Sequence, residues 1–169
     1  DGPLAGTSAG VAYFEVEVTH TRQGTNEGEG LAIGVTTLDP SEIVEMPETV
    51  DLLLECWAVG FDGGAFDSAM GRWTNVDWRS SELRVKDRVG VRVVHGCLQA
   101  FVNGRQVVDG LRGVPQNVDL FAVVDLLGTT AGVLLRPEAE PPHDWEPEDE
   151  MSSLAISSVQ LEPVMVGFS

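Results

Sequence analysis

The stretch RVGVRVVHGCLQAFVNGRQVV, residues 88–108, constrains this chain more than any other. Its apolar and polar side chains alternate with a period of two, the signature of strands that bury one face. Asn103-Gly104 interrupts the alternation with the two residue types that enter positive φ most cheaply, which is what a tight hairpin turn requires. The segment therefore predicts adjacent antiparallel strands.

Other segments repeat this grammar. VAYFEVEV at 11–18 sets Val11, Tyr13 or Phe14, Val16 and Val18 against Glu15 and Glu17, an early core strand. TRQGTNEGEG is a polar, Gly-rich turn, and LAIGVTTL resumes a strand until DPSE breaks it, so these two strands are expected to form a hairpin. DLLLECWAVGFDGG favours a strand around Cys56 to Val59. The following AFDSAMGRWTNVDWRSSELRVKD has no sustained period and reads as a long ordered loop. VDLFAVVDLLG and AGVLLRP add two strands, the first apolar enough for burial on both faces. No helical face exceeds about two turns.

Nineteen glycines and nine prolines among short Val-, Leu- and Phe-rich runs fit many turns joining short strands, and 169 residues suit one core. The expectation is an all-β fold, an antiparallel β-sandwich. After Pro137 the composition changes: EAEPPHDWEPEDE holds seven acids and cannot bury apolar area, so 138–150 reads as an acidic, Pro-rich flexible linker. Residues 151–169 return to strand-like alternation. The divisions are thus 1–137 as sandwich, 138–150 as linker and 151–169 as a terminal strand packing on the same sandwich.

The net charge of −17 disfavours nucleic acid as a partner, because that affinity comes from Lys and Arg on phosphates. Eight of the ten basic residues nevertheless fall between Arg72 and Arg112, so local basic patches survive. Cys56 and Cys97 form no CxxC pair and fit neither a zinc site nor a disulfide framework, which points to a reducing cytoplasm. No apolar run reaches the roughly 18 residues of a membrane span, so no membrane insertion is expected. The chain lacks an initiator Met and is read as an excised fragment.

In order along the chain, FEVEV, LAIGVTTLDP, CWAV, VKDRVGVRVV, LQAFVNGRQV, VP and LFAVVDLLGTTAGVLL make the pattern resemble the Neuralized homology repeat, a relative of the SPRY (concanavalin-like) sandwiches. The resemblance covers roughly residues 3 to 137 and lies in the ordered spacing of its pieces. Lys86-Asp87 stands where the family more often has Gly-Asp, and Leu127 replaces the aromatic of DLYG. The family's opening segment, ending in something like VFS-x-x-PL, is missing. Reading the last residues, VMVGFS, into the first, DGPLAG, resembles that piece, so the carboxy-terminal segment is expected to supply a strand beside 11–18. The resemblance implies a partner-recognition unit of Neuralized-type ubiquitin-ligase or scaffold proteins, acting for example on cytoplasmic tails of Notch ligands or in centriole scaffolds.

Catalytic chemistry finds no foothold. His20, His95 and His143 share no metal-like spacing with other ligands. Asp62, Asp67 and Asp77 lack the oxygen-ligand density of a calcium loop and suit turns. No nucleophile elbow or phosphate loop is present. The chain is read as a non-enzyme with no cofactor.

What remains is FDGGAFDSAMGRWTNVDWRS, with the adjacent pairs Arg72-Trp73 and Trp78-Arg79, residue types that dominate energetic hot spots. Phe61, Asp62, Phe66, Arg72, Trp73, Trp78 and Arg79 are therefore the candidate partner-binding residues, against the alternative that a tryptophan plugs the sandwich end as core. Trp57 reads as core, and Trp145 in the acidic stretch as a short docking motif or a ring packed back on the sandwich. The expected function is a protein–protein interaction module whose partner is a protein or peptide, with self-association left open; the alternative is a carbohydrate- or calcium-binding lectin-like sandwich.

Overall fold

The computed structural model describes residues 3–4, 11–22 and 29–142. Ten strands make up the described fold: β1 (Ala12–Thr21), β2 (Ala32–Thr36), β3 (Cys56–Gly60), β4 (Gly64–Asp67), β5 (Arg72–Asn75), β6 (Arg88–Val94), β7 (Cys97–Val102), β8 (Arg105–Arg112), β9 (Phe121–Asp125) and β10 (Thr130–Leu135). They form two five-stranded antiparallel sheets, ordered β10-β1-β6-β7-β8 and β5-β4-β3-β2-β9. The only described helical pieces are three-residue 3-10 turns at Pro40–Glu42, Val50–Leu52 and Ser80–Glu82.

The alternation in the sequence decides which face of each strand turns inward. In β1, Ala12, Phe14, Val16 and Val18 are buried while Tyr13 and Glu17 face outward, so Phe14 rather than Tyr13 supplies the core side chain. With Ile33, Val35, Trp57 and Val59 of the second sheet and Val89, Val91, Leu98 and Ala100 of the first, these residues fill the main core between the sheets. A smaller core lies on the outer face of the second sheet, where Val50 and Leu53 pack with Ala32, Cys56, Ala58 and Phe61. The β2–β3 connection therefore closes that face like a cover.

Asn103 and Gly104 take φ of +52° and +79° and join β7 to β8. His95-Gly96 builds a second such turn between β6 and β7, with His95 exposed. Lys86 also adopts a left-handed φ, +82°, which gives a physical reason for the commoner glycine at that position. Its ammonium reaches Glu17 at 3.1 Å, and Arg136 reaches the other carboxylate oxygen at 3.0 Å. The Lys86 end of this pair is strongly exposed and returns little, whereas left-handed backbone costs a non-glycine residue about 1 kcal/mol or more. Lys86→Gly is accordingly expected to raise the urea unfolding midpoint; a lowered midpoint would show that the ion pair outweighs the backbone.

Three expectations are corrected. The strands at 11–18 and 31–38 do not pair: β1 lies between β6 and β10, and β2 between β3 and β9. All five residues of β2 are buried, so this strand needs a covered centre position that a two-stranded hairpin does not offer. The presumed long loop after Gly64 contains the β4–β5 hairpin; its strands are four residues each, too short for a visible period, and all of β5 is exposed. β9 is not fully buried: it closes the edge of its sheet, each face is only partly covered, and Ala122 is exposed. Its apolar run serves both faces, Val124 packing against the main core and Val123 against the smaller one.

Leu127 packs against the smaller core, an apolar role that its side chain fills without an aromatic ring. Leu4 donates its N–H to the Leu120 carbonyl at 2.7 Å, which ties the amino end to the start of β9. Glu140, Pro141 and Pro142, the described start of the acidic segment, line one groove with Tyr13, Glu15 and Lys86 on the first sheet. The rest of that segment, Trp145, and the strand expected from the carboxy-terminal residues lie outside the described residues. β1 is flanked by β6 along Ala12–Glu17 and by β10 along Val16–Thr21.

Candidate functional site

The segment 61–80 begins at the end of β3, where the backbone of Phe61 is held from three directions. Phe61 donates to the Leu31 carbonyl at 3.1 Å, and its own carbonyl accepts from Gly30 N–H at 3.1 Å and from the buried Ser80 hydroxyl at 2.9 Å. These bonds keep Phe61 at a left-handed φ of +52° and send its ring into the smaller core. Phe66 in β4 is buried as well, and Trp73 in β5 is its cross-strand partner.

The three rings form one stack. The Trp73 indole lies 5.2 Å from the Phe61 ring at an interplanar angle of 63°, and 4.9 Å from the Phe66 ring at 39°. Gly64 completes the seat: a Cβ there would stand 2.7 Å from Trp73 Cε3. The indole is thus pressed onto bare backbone on one side and two buried phenyl rings on another, yet keeps 41% of its surface exposed. Such a ring presents apolar area to a partner with little rotamer entropy left to lose.

The other candidates divide by position. Asp62, Arg72 and Arg79 are exposed, and strand alternation sends Arg72 to the face of β5 opposite Trp73, away from the seat. Trp78, expected on the rim, is 8% exposed and belongs to the main core, the position foreseen for a ring plugging the sandwich. Phe61 and Phe66 support the exposed indole from beneath rather than meeting solvent themselves. Trp57 is buried in the main core, its Nε1–H without a hydrogen-bond partner among the described residues. Gly64 was missed by sequence reading; the close approach it permits is visible only once β4 and β5 are paired.

The loop aspartates serve turns. The Asp67 carboxylate accepts from the N–H groups of Ala69 and Met70 at 3.0 and 3.3 Å, capping the β4–β5 turn, and Asp77 is exposed. Among the described residues no group of three or more His, Cys, Asp or Glu could hold a metal ion. No helix among them is long and apolar enough to cross a membrane.

Ionisable groups with displaced pKa values are dispersed over the molecule instead of converging on a cleft. Burial, aided by Asp51, pushes the Cys56 thiol up to about 12, and burial also raises Cys97, with Arg112 opposing and Asp109 reinforcing. Since the thiolate is the reactive form, an aromatic disulfide reagent at pH 8 is expected to modify the half-buried Cys97 first and Cys56 only as the protein opens. Equal rates for the two thiols would contradict this. Asp125 is raised by burial while its carboxylate accepts the Val50 N–H at 3.0 Å.

No curated protein matches the chain in sequence. Among solved structures, the SPRY domain of human HERC1 is similar at 15% identity and a TM-score of 0.49, covering 80% of this chain and 82% of that one. Sheep galectin-11 is similar at 11% identity and a TM-score of 0.35, covering 80% and 98%. The family model described as Neuralized matches residues 11–136, from the residue before β1 to the residue after β10, and with the whole two-sheet unit inside that match the chain belongs to the Neuralized family.

Proposed function

We propose that this chain is a non-catalytic recognition module that binds a protein or peptide through the Trp73 seat, with Asp62, next to Phe61, and Arg79, next to the Ser80 that holds the Phe61 carbonyl, at its margin. Trp78 contributes by holding the sandwich rigid and not by contact. The carrying observation is a large aromatic ring that is both immobilised and exposed. Partners would gain apolar burial from the indole and charge-assisted hydrogen bonds from the Arg79 guanidinium. Membership of the Neuralized family favours an interaction module over an enzyme, and the dispersed titratable groups agree with it. Its setting in this reading is a cytoplasmic Neuralized-type ubiquitin-ligase or scaffold protein, where the domain selects the substrate or partner.

The test is capture of partners from a cytosolic extract by the wild-type chain and by Trp73→Ala and Arg79→Ala, each first checked to be fully folded at the assay temperature by a cooperative urea transition. Loss of the same proteins from both variants, identified by mass spectrometry, is the expected outcome. Unchanged retention by Trp73→Ala would move the binding face elsewhere on the sandwich.

A further inference from the structure

We propose that the β2–β3 connection carries a second docking surface, independent of Trp73, and that its occupant is a cationic amphipathic helix of another polypeptide. The inner side chains of this connection, Leu38, Ile43, Val50 and Leu53, close the outer face of the second sheet. Its remaining apolar side chains point the other way. Val44 is fully exposed, Met46 and Leu54 are each 73% exposed, and Leu52 is 62% exposed. Single exposed aliphatics are ordinary on a protein surface, but four within eleven residues of one connection, with Met46 among them lining a groove, form a patch. The groove, about 140 Å³, runs between Met46–Val50 on one side and Val123 of β9 and the following Leu126 on the other.

Charge selects the occupant. From Asp39 to Glu55 the connection carries Asp39, Glu42, Glu45, Glu48, Asp51 and Glu55 and not one Lys, Arg or His. An apolar surface rimmed by carboxylates repels an acidic segment and attracts one whose apolar stripe is flanked by Lys and Arg. Backbone geometry selects a helix. Of the four exposed side chains, Leu52 stands on a 3-10 turn, and Val44, Met46 and Leu54 on a bend, irregular backbone and a turn, none on a strand, so they offer no ladder to an extended chain, whereas a helix satisfies its own backbone and presents only side chains. The Asp125 bond to Val50 N–H anchors the connection to β9 and keeps the groove open. β9, which forms one wall of the groove, is the edge of the sheet opposite the β5 strand of Trp73, about 19 Å away at four strand spacings.

The probe is a fluorescein-labelled Leu/Lys peptide of about 18 residues whose leucines recur at helical spacing, read by anisotropy. A permuted peptide of identical composition controls for simple attraction to an acidic protein. The helical peptide is expected to bind wild-type chain and Trp73→Ala alike. It should bind at least about tenfold more weakly to a Met46→Ser/Leu52→Ser/Leu54→Ser variant, and the permuted peptide should show the same loss on wild type. Glu45→Gln/Glu48→Gln should flatten the salt dependence. Amide shifts on wild type confined to 43–54 and 123–126 would locate the site without any variant. No binding, equal binding of the permuted peptide, or equal binding to the triple variant overturns the proposal. Sedimentation showing a wild-type dimer that the triple variant abolishes would overturn it in favour of a second copy of the chain.

Discussion

Trp78→Ala is expected to lower the free energy of unfolding by about 3–5 kcal/mol, whereas Trp73→Ala, five residues earlier, costs about 1 kcal/mol or less. Trp78 lies in the main core at 8% exposure, so its removal takes the indole's transfer free energy and leaves a cavity that neighbours fill only in part. Trp73 covers Phe61 and Phe66 from outside, and water can occupy the space it vacates. Against a total stability on the order of 5–15 kcal/mol, the Trp78 loss approaches the point at which the sandwich no longer forms. Urea titrations followed by far-ultraviolet dichroism measure both, with comparison restricted to variants that keep the wild-type slope. Equal losses at the two positions would contradict the burial assigned to Trp78, and would mean that the Trp73 stack is a structural element.

The second large effect concerns binding. Trp73→Ala is expected to weaken a partner captured through this face by about 2 kcal/mol or more, roughly thirtyfold, in line with truncation of an aromatic hot spot. Gly64→Ala offers a sharper experiment, because it keeps the indole and alters only its seat. The added methyl would stand 2.7 Å from Cε3 and 2.9 Å from Cζ3, closer than carbon atoms approach, and the ring lies where it can lift away from the sheet. Affinity should therefore fall for Gly64→Ala although every contact group remains, with the unfolding midpoint changed by little. Titration of the purified partner by calorimetry reads both variants. A Gly64→Ala variant with wild-type affinity would show that the orientation of the ring is immaterial, and the case for a preformed recognition surface would fall with it.

Strand placement was legible wherever a period-two pattern ran for six or more residues. The alternation in β1, β6 and β7 and the Asn103-Gly104 turn each point to their structure locally, since side-chain direction and turn φ depend on neighbouring residues alone. β4 and β5 were illegible for the converse reason: four residues hold barely two alternations, and an exposed edge strand needs no apolar face. Phe61, Phe66 and Trp73 were picked out by residue type, but type does not separate the ring that contacts solvent from the rings that hold it in place. The apolar patch at 44–54 escaped notice because apolar side chains in sequence read as core, and only the cover formed over the second sheet shows which of them face inward.

For this protein, residue order by itself determined the class of fold, the position of its clearest turn and the family pattern, all of which rest on interactions between near neighbours or on spacing along the chain. Which strands share a sheet, which tryptophan is buried and which side of the β2–β3 connection meets water were decided in the tertiary structure. Those outcomes follow from packing two sheets against each other: each has a limited inner face, and a side chain's place on it depends on partners tens of residues away.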